Sequence, residues 1–134
     1  MDEPLVSWPS KEGAVYIMIL SGPDASYLDS KKNSYEHWII GNIPGTDLEN
    51  GDKLSEYVGL TKAAYCQGTT HRLVFYVFEQ PRGKKMKFEG ALIKKKDTGR
   101  IRGMLSMEDF VLRYDLGDPY AVHFFEVFFN KTKL

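Results

Sequence analysis

Three histidines, His37, His71 and His123, are the side chains of this sequence whose ordinary titration falls near neutral pH. His37 opens one apolar stretch and His71 immediately precedes another, so both map to strand ends, where a sheet rim can bring them to one cavity. Taken singly, each reads as a structural histidine, and His123, embedded in AVHFFEVFF, more so. Asp24 lies in the turn sequence Gly22-Pro23-Asp24, where an aspartate commonly closes an Asx-turn. Gly68 with Thr69 and Thr70 leads into His71; glycine there lets backbone approach a ligand, and successive amides can form an anion nest. Cys66 stands five positions before His71, but thiol catalysis needs a spatial pair and an orienting group, which spacing does not supply. The sequence holds no GxSxG elbow, HExxH pair, Walker loop or GxGxxG turn. Two histidines and one aspartate lack any short metal-ligand spacing, so neither metal nor cofactor is expected.

Positioning these residues falls to four strand-like stretches. AVYIMIL (14–20) and HWIIGNI (37–43) are short, β-branched and aromatic, bounded by Gly, Pro and Ser. RLVFYVFE (72–79) and AVHFFEVFF (121–129) run almost continuously apolar, as strands covered on both faces do. Turn clusters lie between them at 21–24, 44–47, 50–52 and 81–83. One helix is predicted after Ser106, with Glu108 and Asp109 in its first turn. Met107, Phe110, Val111 and Tyr114 give that helix one apolar stripe, and Gly117 and Pro119 end it. Most gaps are too short for crossover helices, so the fold class expected is mainly β, an antiparallel β-sandwich with one or two short helices.

The 134 residues have room for a single domain, and 43% hydrophobic with 27% charged residues is a globular balance. One cysteine excludes an intrachain disulfide and favours a cytoplasmic location with a reduced thiol. The apolar run 14–20 is too short to span a bilayer, and no secretory leader pattern opens the chain, so membrane insertion is not expected. Eighteen basic residues balance eighteen acidic ones, which argues against a general nucleic-acid coat. The balance is uneven. Between Arg82 and Arg102 nine basic residues face only Glu89 and Asp97, a local +7 that the rest of the chain offsets. That segment reads either as a solvated lysine-rich excursion or as a patch for phosphate-bearing partners. Phe88 is its one aromatic residue, which gives little for bases to stack on, so a nucleic-acid partner is not expected.

Taken in order, the pieces resemble the phosphatidylethanolamine-binding protein (Raf kinase inhibitor protein-like) family, from about Trp8 to about Phe129. Gly22-Pro23-Asp24-Ala25 resembles its Asp-Pro-Asp-x-Pro signature, and YEHWIIGNIPG (35–45) its aromatic-x-His strand ending in Asn-Ile-Pro-Gly. Tyr57-Val58-Gly59, Thr69-Thr70-His71-Arg72 and the segment from Phe110 to Leu116 follow at matching places. The resemblance implies an antiparallel sandwich with a small anion pocket at one end, taking phosphate or phosphoethanolamine-type head groups. By position, Asp24, His37 and His71 would line the pocket, with Ala25, Tyr35 and Gly59 as wall and Pro23 and Arg72 in support. An imidazolium of His37 or His71 would donate charge-assisted hydrogen bonds to phosphate, and Asp24 would accept from an ammonium.

The departures are Gly22 for the signature's first aspartate, Ser26 for its last proline, Thr69 for a glycine and Leu73 for a tyrosine. The resemblance leads us to expect residues 1–134 to form a single domain of this type, lacking the family's usual N-terminal strands and C-terminal helix. The function implied is a non-enzymatic, lipid-binding and anion-binding module that modulates protein partners, kinase-inhibitor-like. The alternative is a structural or assembly protein with a degenerate pocket, docking through residues 82–102. Hydrolysis with His37 and His71 as base and acid lacks a nucleophile.

Overall fold

The computed structural model describes residues 3–26, 28, 30–62 and 64–130. Five strands, β1 (Val15–Gly22), β2 (Tyr35–Pro44), β3 (Asp52–Ser55), β4 (Thr70–Glu79) and β5 (Ala121–Phe128), form one sheet in the order β3-β2-β1-β4-β5. Every pairing is antiparallel. A single helix, α1 (Met107–Arg113), and three 3-10 turns complete the regular structure of these residues. The chain is therefore mainly antiparallel β with one short helix, as its sequence pattern predicts. The strands described make one sheet, and loops and α1 provide the layers on its two faces.

Strand β1 runs through the middle, buried along almost its whole length. Its alternation assigns Tyr16, Met18 and Leu20 to one apolar cluster, with Trp38, Tyr57, Tyr65, Leu73 and Phe75. Ile17 and Ile19 join Ile39 and Phe78 on the opposite face, packed under Met107, Phe110 and Val111 of α1 and Tyr114 just after it. The predicted stripe is the face that α1 buries. Ser106 caps the helix, its hydroxyl accepting from the Asp109 amide at 3.2 Å. The helix ends at Arg113, short of Gly117, because Asp115 already takes a left-handed conformation at φ 52°.

Two irregularities in β2 shape everything that follows. Leu20 pairs with Trp38 and Ser21 with Glu36, so His37 is the extra residue of a bulge, re-aimed toward the sheet end. Further along, Tyr16 pairs with Ile43 and Met18 with Ile40, and Asn42 adopts φ 53°. Its side-chain oxygen accepts from Gln80 Nε2 and from the Met86 amide, and its Nδ2 donates to Asp52 and the Met86 carbonyl, each at 2.8 Å. Phe88 then lies over Gly41, where a Cβ would fall 2.4 Å from its ring. The start of the basic segment is thus stapled to β2.

Its end is fixed more firmly. Arg102 is fully buried. Its guanidinium donates to the carbonyls of Asp97, Glu36 (2.9 Å) and Lys94 (2.8 Å), tying the 94–102 loop across β2. One of the nine basic residues is therefore structural, and the segment is a folded cover with Lys94, Lys95 and Lys96 exposed on it.

Strand β5 departs from the reading of 121–129 as covered on both faces. Ala121, Phe125 and Val127 pack on the first cluster, while Val122, Phe124 and Phe128 are more than half exposed. The continuous apolar run has an edge strand's environment, because α1 sits over β1 and the far end of β4 without reaching β5.

Candidate functional site

The ends of β1, β2 and β4 bring the predicted residues to one place, around an aromatic ring that the sequence did not single out. Tyr65, 2% exposed, stands between the two histidines: its ring centroid is 5.5 Å from His37 and 4.8 Å from His71. Tyr35 closes the group, 4.9 Å from His37 and 6.0 Å from Tyr65. Its own hydroxyl donates to the Thr98 carbonyl at 2.6 Å. Ala25 is buried in the same cluster, Gly59 is half-buried after Val58, and Pro23 is half-buried in the turn that carries Asp24.

His37 is completely buried and both ring nitrogens are engaged. Nδ1 lies 2.8 Å from the Val58 carbonyl, which can only accept, so Nδ1 carries the proton. Nε2 is then the acceptor for the Tyr65 hydroxyl at 2.6 Å. Burial pushes the imidazole pKa down to about 4, the Val58 bond opposing this and the Arg102 charge adding to it. The imidazolium expected at position 37 is therefore not present at neutral pH: this histidine offers a hydrogen-bonded neutral ring. Burial likewise raises the Tyr65 phenol far above its usual range, so it remains a hydroxyl.

Gly22 has a specific role here. A Cβ at that position would fall 1.9 Å from the Tyr65 hydroxyl and 2.8 Å from His37 Nε2. The glycine that departs from the family signature is the residue that admits Tyr65 to the histidine. Tyr65 is the one aromatic residue of LTKAAYCQG (60–68), which is its only signal in the sequence.

On the other side of Tyr65, His71 is nearly buried, with Nε2 3.0 Å from the Cys66 carbonyl and 2.8 Å from Thr69 Oγ1. The carbonyl again fixes the proton, on Nε2. Thr69 Oγ1 in turn donates to the Cys66 carbonyl at 2.7 Å, so threonine at the signature glycine position braces the turn and His71 together. Cys66 itself is exposed. Leu73, at the tyrosine position, points into the core at 3% exposure. His123 lies at the β5 edge, paired with Phe75 and away from this group.

Asp24 and Arg72 form the outer lip. The carboxylate accepts from the Arg72 amide (2.8 Å), Nε (3.0 Å) and Nη2 (2.7 Å), a forked pair on a backbone anchor. Those hydrogen bonds hold the Asp24 carboxyl below its usual range and raise the guanidinium. The pair is open to water, the side chains 29% and 56% exposed. Chemically, the site sets a buried, neutral His37 with both nitrogens bonded behind one exchangeable ion pair at its mouth.

The described residues thus form an antiparallel β sheet with two histidines and an aspartate gathered at one end. Comparisons with known proteins narrow the class. No family model matches the chain. It is 34% identical over 125 residues to the rice "Protein MOTHER of FT and TFL1 homolog 2", covering 90% of this chain and 65% of that protein. It is 28% identical to a "26 kDa secreted antigen" of Toxocara canis, covering 92% of this chain and 46% of that one. Among solved structures, the "CG7054 solution structure" superposes with a TM-score of 0.66 at 28% identity, covering 96% of this chain and 72% of that one. The chain belongs to the phosphatidylethanolamine-binding protein family. It spans roughly half to two thirds of the length of the curated relatives it matches, 46% and 65%. No helix among the described residues is long and apolar enough to cross a membrane.

Proposed function

We propose that this chain is a non-enzymatic binding module whose Asp24–His37–His71 end takes a phosphate or phosphoethanolamine-type head group. In this reading it modulates a protein partner, such as a kinase, from the cytoplasm. The observation that carries the reading is the exposed Asp24–Arg72 fork beside the buried His37–Tyr65–His71 row. A zwitterionic head group would exchange partners with that fork, its phosphate taking Arg72 and its ammonium taking Asp24. An exposed ion pair contributes little on its own, so opening it costs little. His37 has both nitrogens bonded inside the fold and a pKa lowered to about 4, which makes it a weak and inaccessible base at neutral pH and favours binding over catalysis. The alternative, docking through residues 82–102, loses Arg102 to the interior but keeps an exposed lysine run.

The test is an NMR titration with phosphoethanolamine, inorganic phosphate and ethanolamine. Arg72→Gln should abolish the response to both phosphate ligands. Asp24→Asn should weaken phosphoethanolamine alone. Shifts indifferent to both variants would refute this site. RNA binding that falls steeply with salt and is lost when Lys94, Lys95 and Lys96 are neutralised would favour the alternative.

A further inference from the structure

The opposite face of the sheet carries a cavity that no histidine lines, independent of the reading above. It has a volume of about 910 Å³ and lies between β2, β3, residues 85–93 and α1. Ile39, Leu54, Phe88, Ile93, Ile101 and Phe110 make its walls apolar. A cleft of about 290 Å³ adjoins it, sharing Lys85, Met86, Lys87, Arg113 and Tyr114. That cleft is strongly cationic: Arg82, Lys84, Lys85, Lys87 and Arg113 face Asp115 alone. Lys84, Lys85 and Lys87 are exposed and form no ion pair among the described residues.

The acids within the cavity are already matched. Asp52 accepts from Asn42 Nδ2 at 2.8 Å, and Glu89 lies 3.9 Å from Arg113. Glu36 accepts from the Ser55 hydroxyl, and burial raises its carboxyl to about 7, so much of its charge is absent at neutral pH. A cavity of this size with an apolar stretch and a polar rim suits an amphipathic small molecule, and the cationic cleft beside it specifies the sign of that molecule's polar end. The cavity opens to water where Leu92 and Ile101 are exposed, which lets a flexible chain enter between strands, segment and helix.

We propose that this cavity binds a single-chain amphipathic anion, its acyl chain between Leu54, Phe88 and Phe110 and its carboxylate or phosphate among Lys84, Lys85, Lys87 and Arg113. Fixing Phe88 against Gly41 and stapling Met86 to Asn42 preforms the wall that separates chain from head. The basic segment then has a use that needs no nucleic acid.

The test is an NMR and calorimetric titration with palmitate and with 1-palmitoyl lysophosphatidate, both held below their aggregation concentrations. The expected result is one molecule per chain, with shifts at Phe88, Leu92, Ile93 and Phe110 and none at His37 or Tyr65. Because each buried methylene contributes about 0.8 kcal/mol, octanoate should bind at least about tenfold more weakly than palmitate. Lys85→Glu with Lys87→Glu should weaken both probes at least about tenfold, each ion pair being partly screened. Leu92→Asp, which places a charge on the chain's path at a position 42% exposed, should do the same with the melting temperature unchanged. The relative strength of palmitate and lysophosphatidate identifies the head group. Four results would overturn the proposal: no binding, equal binding of hexadecylamine, inorganic phosphate binding as tightly as lysophosphatidate, or shifts confined to His37 and Tyr65. Selective binding of an acidic peptide in place of the lipids would overturn it too.

Discussion

Glu36 and His37 are neighbours on β2 whose ionisations oppose each other, and Glu36→Gln separates them. Burial raises Glu36 from 4.5 to about 7 and lowers His37 from 6.5 to about 4. Between pH 4.5 and 7 the folded chain keeps a proton on Glu36 that the unfolded chain has lost. The neutral carboxyl's contribution is therefore full below pH 4.5 and disappears as pH rises through 7. For His37 the unfolded chain holds the extra proton, so its contribution is full above pH 6.5 and disappears as pH falls through 4. Worked across pH 4.5 to 6.5, each linkage is worth about 2 kcal/mol, with opposite sign. The two cancel in the natural chain. Glu36→Gln keeps an acceptor for Ser55 and removes one side of the balance. Urea midpoints followed by circular dichroism at pH 4.5, 5.5 and 6.5 should show the variant losing about 2 kcal/mol on acidification relative to the natural chain. Other titrating groups, Asp24 among them, act in both proteins and drop out of the difference. A stability difference that does not change with pH would refute the argument, showing that Glu36 is ionised in the fold.

Two further predictions concern contacts that hold the site. Gly22→Ala should destabilise by about 1–3 kcal/mol through overpacking against the Tyr65 hydroxyl, and Tyr65→Phe should recover part of that loss; additive effects in the double-mutant cycle would count against the contact. Arg102→Met should cost about 3 kcal/mol or more in urea unfolding, since it takes the shared donor from three carbonyls and frees the 94–102 loop; protection of the Lys94 to Asp97 amides unchanged in hydrogen exchange would contradict it.

The fold was legible where information is local. Four of the five strands follow from β-branched and aromatic runs between turn clusters, and α1 from its cap and stripe, because those patterns are set by the period of one element. Strand β3 escaped because DKLS is short and only Ser55 in it is buried. The two-sided cover assigned to β5 was wrong for a related reason. An apolar run reports that a strand is hydrophobic, while its place at the sheet edge depends on pairings far away in sequence.

At the candidate site the same boundary separates residues from their states. Asp24, His37 and His71 could be gathered from motif order, but charge is a property of surroundings. The neutrality of His37 comes from its burial at a bulge and from the Arg102 charge, neither legible next to it in sequence, while the Val58 carbonyl decides which nitrogen keeps the proton. Gly22 illustrates the point most directly. Read alone, it removes a carboxylate; read with Tyr65, it exchanges that carboxylate for a phenol that reaches His37 from another loop. The remaining charge is therefore displaced outward to Asp24 and Arg72, where water can reach it and a ligand can compete for it. Any head group that binds there meets an ion pair first and a histidine second, so its affinity should follow ionic strength more closely than the protonation of His37.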